Sequence, residues 1–315
     1  MKIGNDDKIE YYPEDEKIPG NLYMNKVGVL LESLPYIKEY FNKIVVVKIG
    51  GSMIEEAESL QSVLNDITLM KYVGIKVVLV HGGGRQITKL MEEKGLKSEF
   101  VDGLRITNKE SIKIVKMVLI GNINTKIVSF LNKHGRSSIG ISGDDTNFIQ
   151  CRKKQYKKNG KNIDLGYVGE IEKIDSEFII NILNSKYIPV IASLGVDKAG
   201  NIYNINADTC ACEVAKSLKA EKMVLLTDVD GIIKNAAGKQ RLISRLTSER
   251  CLQMIKSSEI SSGMIPKVKA CTDALEGGVG RTHILNGTME HSILVEIFTD
   301  KGIGTMITRE DTLKH

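Results

Sequence analysis

The sequence predicts an α/β protein organised on a largely parallel sheet. Residues 44–52 read Ile-Val-Val-Val-Lys-Ile-Gly-Gly-Ser, and residues 77–84 read Val-Val-Leu-Val-His-Gly-Gly-Gly. Each is a run of β-favouring apolar residues that ends in glycines, and each is followed by a helical pattern, over 58–72 and over 86–94. Such runs suit strands buried on both faces. Strand, turn and helix in repetition fold as right-handed βαβ units. In sheets of that kind, ligands bind at the carboxyl ends of the strands.

Taken in order, residues 1–25 are polar and acidic, carry Pro13 and Pro19, and are read as a flexible tail. Residues 26–43 are read as an N-terminal helix, because Val27, Leu30, Leu31, Leu34, Ile37 and Phe41 follow helical spacing. Pro35 is expected to kink or divide it. This helix precedes the first strand, so its apolar face is free to pack on another subunit.

Lys48 interrupts the first strand just before its end. A lysine is rarely buried without a partner, so it is expected where the strand emerges into a site. Gly50 and Gly51 allow backbone N–H groups to approach a ligand. Strand, cation and glycine turn together make an anion cradle, although an ordinary turn beside a snorkelling lysine fits the same residues. Residues 102–107, Asp-Gly-Leu-Arg-Ile-Thr, form a polar turn bearing Arg105, and a long helix follows over 109–134.

A strand and turn come next over 139–145. Six basic residues over 152–161 surround Asn159-Gly160, a hairpin signal. The strand over 187–192 leads to Asn204-Ile-Asn-Ala-Asp208 and a helix to about 218, with Asp208 placed to complement the helix dipole. A strand over 223–226 ends in Thr227-Asp228-Val229-Asp230-Gly231. Gly263-Met-Ile-Pro-Lys267 opens a further helix, with Pro266 in its first turn. A cation at that end is unfavourable, so Lys267 calls for an anionic partner. Strands are expected over 282–285 and 293–298 before the closing segment 302–307.

The 315 residues suffice for one large domain or two lobes. A net charge of +5 suits an anionic ligand without marking a nucleic-acid binder. Five cysteines with no Cys-x-x-Cys pair indicate neither a disulfide framework nor a zinc site. They read as reduced thiols of a cytoplasmic protein. No apolar leader and no run of about 18 apolar residues is present, so no membrane span is expected. The Walker pattern and the dinucleotide G-x-G-x-x-G are missing. Two lysines, one arginine, a helix-start aspartate and glycine turns at strand ends suit phosphoryl transfer, where the protein positions reactants and neutralises charge.

Lys48-Ile-Gly-Gly51 followed by His81-Gly-Gly-Gly84 resembles the amino acid kinase superfamily. The turns at 102–107, 204–208, 226–231 and 263–267, in family order and spacing, resemble its N-acetylglutamate kinase branch. The resemblance covers about residues 26–307. It implies a three-layer αβα sandwich with a largely parallel central sheet. It also implies an N-lobe over 44–200 for acyl-amino-acid binding and dimerisation, and a nucleotide-binding C-lobe over 201–315. The implied reaction moves the γ-phosphate of ATP, with Mg²⁺ carried on the nucleotide, to the side-chain carboxylate of N-acetyl-L-glutamate. That is the second step of arginine biosynthesis. A carboxylate with a pKa of about 4 is ionised at neutral pH, so no general base is needed.

By the same resemblance, Lys48 and Lys267 stabilise the transition state and Asp208 holds both ammonium groups. Gly50, Gly51, Thr227, Asp228 and Gly231 contact the nucleotide. Gly83 and Gly84 receive the substrate, Arg105 grips its α-carboxylate, and Asn204 adds a polar contact. The helix over 26–43 resembles the extra helix of arginine-inhibited members, which interlaces dimers into a hexamer. His283, Glu296 and Gly302 fall where those members place their L-arginine site. Asp144, Arg85, Ser262, Asn286 and Thr288 depart from the family pattern, and Asp144 is expected to disturb the charge balance near the phosphates.

Aspartokinase, glutamate 5-kinase, carbamate kinase and uridylate kinase share the first motifs. The 102–107 turn and the short run after 307 weigh against them. A kinase with another carboxylate or carbamate acceptor, and a non-catalytic metabolite sensor, are the alternatives. No nucleic-acid or membrane partner is expected.

Overall fold

A computed structural model describes residues 20–309, apart from 134, 136, 237–238 and 300–301. Its helices are α1 (Gly20–Tyr40), α2 (Gly51–Glu55), α3 (Ala57–Tyr72), α4 (Gly84–Glu93), α5 (Lys109–Lys116), α6 (Thr125–Lys133), α7 (Ser176–Asn184), α8 (Ala207–Ser217), α9 (Ser248–Lys256), α10 (Ile265–Glu276) and α11 (Ser292–Phe298). The main sheet comprises β1 (Ile44–Ile49), β2 (Lys76–His81), β3 (Ser138–Ser142), β4 (Ile188–Ala192), β5 (Lys222–Thr227), β6 (Arg245–Thr247), β7 (Arg281–Asn286) and β8 (Thr305–Thr308). Their order across the sheet is β6-β8-β7-β5-β1-β2-β4-β3. All neighbours run parallel except β7 and β8.

Alternation along each strand makes two cores. Val45, Val47 and Ile49 of β1 face one layer with Leu64, Ile67, Ile127 and Ile293. Val46 faces the other with Cys210, Val214, Val268 and Cys271 of α8 and α10. Successive strand residues point to opposite faces, so Lys48 shares the Val46 face, the one these two helices cover. This is the expected three-layer sandwich. β1 lies at its centre, pairing with β2 on one side and β5 on the other. The three glycine-bearing ends of these strands therefore meet along one edge.

Residues 1–19 of the expected tail lie outside the described residues. Helix α1 begins at Gly20, earlier than its apolar spacing suggests, and runs unbroken past Pro35. The 152–161 run forms the expected hairpin. Asn159 and Gly160 have φ of 50° and 77°, the paired positive values of a type I′ turn. Half of its charges are paired locally: Arg152 with Glu170, Lys153 with Asp164 and Lys158 with Asp102. All five cysteines are buried and free.

One more expectation needs correction. Residues 293–298 are helix α11, not a strand. The β-branched run is overridden because His291 at the helix start is anchored to α3, its N–H donating to Ser62 Oγ at 2.9 Å and its Nδ1 lying 2.6 Å from Asp66 Oδ1, while Ile293 and Ile297 bury against the α3 side of the sheet. A polar partner at a helix start and burial of one face outweigh β-propensity. Residues 109–133 form one 25-residue helical stretch apolar enough to cross a membrane by length and composition. Here it is a core helix, with Ile112, Val115, Leu119, Ile123, Ile127 and Leu131 buried. Its middle, Met117–Asn124, is π-helical.

Candidate active site

At the end of β1 the chain turns at Gly50 and starts α2 at Gly51. Both glycines stand at close approach to neighbouring backbone. A Cβ on Gly50 would stand 3.0 Å from the Leu226 carbonyl oxygen, and one on Gly51 would stand 3.3 Å from the Gly84 nitrogen. The two glycine turns thus abut, with Lys48 beside them.

Asp208 enters from the first turn of α8. The cap of that helix is Asn206, whose side chain accepts from the Asp208 and Thr209 N–H groups at 2.9 and 3.1 Å. Asp208 is therefore spared for other work. Its Oδ1 pairs with Lys48 Nζ at 2.8 Å and its Oδ2 accepts from Lys267 Nζ at 3.0 Å. The side chains of Lys48 and Asp208 are only 8% and 7% exposed, and that of Lys267 is 21% exposed. Burial alone would raise the Asp208 pKa, but the two ammonium groups overcome it and hold the carboxyl at about 2. Lys267 sits in the first turn of α10 behind Pro266, a poor place for a cation. Asp208 supplies the anion that the sequence called for.

Two cavities open on either side of this group. One, of about 690 Å³, is lined by Gly50, Gly51, Thr227, Asp228, Gly231 and the loop carrying Ser261 and Gly263. The other, of about 240 Å³, is lined by Gly83, Gly84, Arg105, Asn204, Ser193 and Asp208. Lys48, Gly51 and Lys267 belong to both walls. The smaller cavity has three cations, Lys48, Arg105 and Lys267, against one carboxylate, Asp208. It is built for an anion.

Arg105 is buried and fully oriented. Its Nη1 donates to Ser98 Oγ at 2.6 Å, and its Nη2 donates to the Gly84 carbonyl at 2.7 Å and Thr88 Oγ1 at 2.8 Å. The Phe100 ring lies 4.5 Å below the guanidinium. Burial draws its pKa below the usual value, which leaves it charged at neutral pH. The partners are neutral, so the charge is uncompensated. Asn204 donates to Thr107 Oγ1 at 3.4 Å. His81, the histidine next to the glycines, is wholly buried, and burial pushes its pKa down to about 4. It is not placed to act as a base.

The Thr227–Gly231 turn is tied down from two sides. Arg85 pairs with Asp228 at 3.2 Å, and Asn286 donates to Asp230 at 2.8 Å. Arg85 and Asn286, which break the family pattern, thus hold the turn. Gly231 has φ of 145°, and a Cβ there would meet Thr305 Oγ1 at 2.6 Å. The expected disturbance by Asp144 does not arise. Asp144 pairs with Lys116 at 3.4 Å and lines neither cavity, so its charge is used away from them.

His283, Glu296 and Gly302 come together elsewhere, where β7, α11 and the 302–304 turn meet. His283 Nδ1 lies 2.7 Å from Glu296 Oε1, and the Ile303 N–H donates to Oε2 at 2.8 Å. A Cβ on Gly302 would meet the same carboxylate at 2.9 Å. Sequence inspection missed two neighbours. Lys222, whose pKa burial lowers to about 8, lies 4.5 Å over the Tyr40 ring at the end of α1. A lysine opening an apolar strand run, as in Lys222-Met-Val-Leu-Leu, repeats the Lys48 signal at the other end of a strand. Val168, Ser193 and Leu119 of the smaller cavity carry no motif at all.

The profile of the amino acid kinase family matches residues 43–286. The chain is 46% identical to the acetylglutamate kinase of Caldicellulosiruptor bescii over 284 residues, which are 90% of this chain and 97% of that one. It is 46% identical to the acetylglutamate kinase of Methanothrix thermoacetophila over 286 residues, 90% of this chain and 99% of that one. Among solved structures it matches an N-acetylglutamate synthase from Neisseria gonorrhoeae complexed with coenzyme A and N-acetyl-glutamate. The TM-score is 0.80 at 29% identity, covering 90% of this chain and 63% of that chain. The same synthase complexed with coenzyme A and L-arginine gives 0.76 at 29% identity, covering 90% and 65%. Profile, identity and geometry agree: the chain is a kinase that belongs to the amino acid kinase family.

Proposed function

We propose that the chain transfers the γ-phosphate of ATP to the side-chain carboxylate of N-acetyl-L-glutamate, giving N-acetyl-L-glutamyl 5-phosphate for arginine biosynthesis. One observation carries this: a single buried carboxylate, Asp208, holds two ammonium groups where a large cavity meets a small one with excess positive charge. The relatives' names support the choice of acceptor. ATP fills the larger cavity with its phosphates toward Gly50 and Gly51. The acyl amino acid fills the smaller, its α-carboxylate on Arg105, with Asn204 as a second polar contact and Gly83 and Gly84 beneath.

The acceptor carboxylate oxygen forms a bond to the γ-phosphorus as the bond from phosphorus to the β,γ-bridging oxygen breaks. ADP leaves and no proton moves. The obstacle is anion approaching anion, and Lys48 and Lys267 face it from both walls. Asp208 is held ionised by its two partners and serves to position them. Among the described residues no three His, Cys, Asp or Glu side chains cluster as metal ligands. Mg²⁺ would be carried on the nucleotide phosphates, where it would neutralise charge.

Coupled ADP release tests the assignment. Turnover is expected with N-acetyl-L-glutamate and not with carbamate, aspartate or glutamate; equal turnover with another acceptor refutes it. Arg105→Lys is expected to raise KM for N-acetyl-L-glutamate about 10–100-fold with a smaller change in kcat. A point charge on a flexible stem cannot replace the fork held by Ser98, Thr88 and Gly84. An unchanged KM would remove Arg105 from the acceptor site.

Arginine feedback and a hexameric ring are the finer part of the proposal. Tyr40, Lys222, His283 and Glu296 cluster where α1 meets the sheet, and Glu296 is the carboxylate there for a guanidinium. The α1 residues Val27, Leu30, Leu31 and Leu34 are 41–69% exposed, an apolar stripe at helical spacing suited to a second copy. Millimolar L-arginine is expected to inhibit the protein, and Glu296→Gln to weaken inhibition about tenfold or more at unchanged basal rate. A dimer by light scattering that keeps full rate in arginine refutes this part alone. The cytoplasm is the compartment this reading assigns.

A further inference from the structure

The π segment Met117–Asn124 interrupts the long helix between α5 and α6, and such segments are frequent at functional sites. Here it presses three side chains toward the Gly82–Gly84 turn. A Cβ on Gly83 would stand 2.4 Å from Ile123 Cδ1 and 2.9 Å from Leu119 Cδ2. Asn124, also buried, places its side-chain amide nitrogen 2.8 Å from the Val190 carbonyl oxygen and 3.0 Å from His81 Nε2. Gly140 stands behind it: a Cβ there would fall 2.0 Å from Asn124 Oδ1, so only glycine leaves the amide in place.

These contacts fix the imidazole by elimination. The Val190 carbonyl only accepts, so the Asn124 group facing it is the NH₂. That nitrogen also faces His81 and has no lone pair to offer, so Nε2 accepts. The proton of the neutral ring therefore sits on Nδ1. Nδ1 lies 3.2 Å from the Gly82 carbonyl oxygen, which receives the N–H. Among the described residues no peptide bond is cis, and a planar trans peptide points its N–H opposite its C=O. With the Gly82 carbonyl held on His81, the Gly83 N–H is turned away from the ring.

We propose that Asn124 and His81 are positioning residues that set the Gly82–Gly83 peptide, and through it the Gly83–Gly84 backbone, for the carboxylate-bearing acceptor. This rests on the function proposed above. ¹⁵N NMR of the wild-type imidazole is expected to show Nδ1 protonated and Nε2 bare; a protonated Nε2 overturns the inference. Asn124→Leu removes the donor at similar volume. It is expected to raise KM for N-acetyl-L-glutamate about tenfold, the effect of one lost buried hydrogen bond, with KM for ATP within about twofold. Equal rises in both KM values indicate general loosening and overturn it. His81→Asn keeps a donor at the Nδ1 position and is expected to recover most of the affinity lost in His81→Ala; no recovery overturns it, whether or not the Asn124 variant folds. Wild-type turnover with unchanged KM in Asn124→Leu defeats this inference alone. Wild-type protein that phosphorylates no N-acetyl-L-glutamate defeats the functional assignment instead.

Discussion

Replacing Lys48 with alanine is expected to lower kcat for N-acetyl-L-glutamate phosphorylation by about 10²–10³-fold, the usual effect of removing one preorganised group from a developing charge. Lys48 lines both cavities and sits 2.8 Å from Asp208. Its ammonium is fixed before either substrate arrives, so little reorganisation is left for the chemical step. KM for the acceptor is expected to move much less, because Arg105 and the Gly83–Gly84 turn remain. Lys48→Arg is expected to rescue little, because a planar guanidinium has a different shape and reach. Steady-state kinetics decide the matter. A Lys48→Ala kcat within threefold of wild type, in a protein that melts like wild type, would mean that the lysine only neutralises Asp208.

Asp208→Asn should do more damage, to both activity and stability. The amide leaves Lys48 and Lys267 close together with no counter-charge, and Lys48 is almost wholly buried. Removing one partner of a buried ion pair costs about 3–5 kcal/mol, and kcat is expected to fall by about 10³-fold as the ammonium groups separate. The pH dependence has a defined sign. Asp208 is held below its unfolded value, at about 2. Its stabilisation is therefore fully present above the unfolded carboxyl pKa of about 4 and is lost as pH falls toward 2. Urea unfolding across pH should show a wild-type advantage that is level from pH 7 to about 4 and shrinks below it. An advantage that grows in acid would mean that Asp208 is protonated in the folded protein.

Much of this site is legible from local chemistry alone. A lysine inside a β-branched run, with glycines directly after it, marks Lys48, Gly50 and Gly51 because burial without a partner is unfavourable. A lysine behind Pro266 at a helix start marks Lys267 for the same kind of reason. Other features were closed to that approach. Asp208 looks like a dipole complement until Asn206 is seen to cap the helix in its place. Residues 293–298 look like a strand because the α3 side chains that anchor the start of this helix, Ser62 and Asp66, lie more than two hundred positions earlier. Asp144 looks disruptive until Lys116 is found beside it.

By itself the sequence determined the largely parallel sheet, the glycine turns and which cations lack a local partner, since these follow from period, propensity and the energetics of burying charge within a few residues. Only the tertiary structure decided the geometry by which one carboxylate, as the family resemblance implied, serves two lysines, that a neutral imidazole orients a glycine carbonyl, and which apolar walls shape the smaller cavity. Those facts depend on strand order and on helices α8 and α10 sharing one face of the sheet, and no short stretch of chain encodes a contact between residues so distant along it.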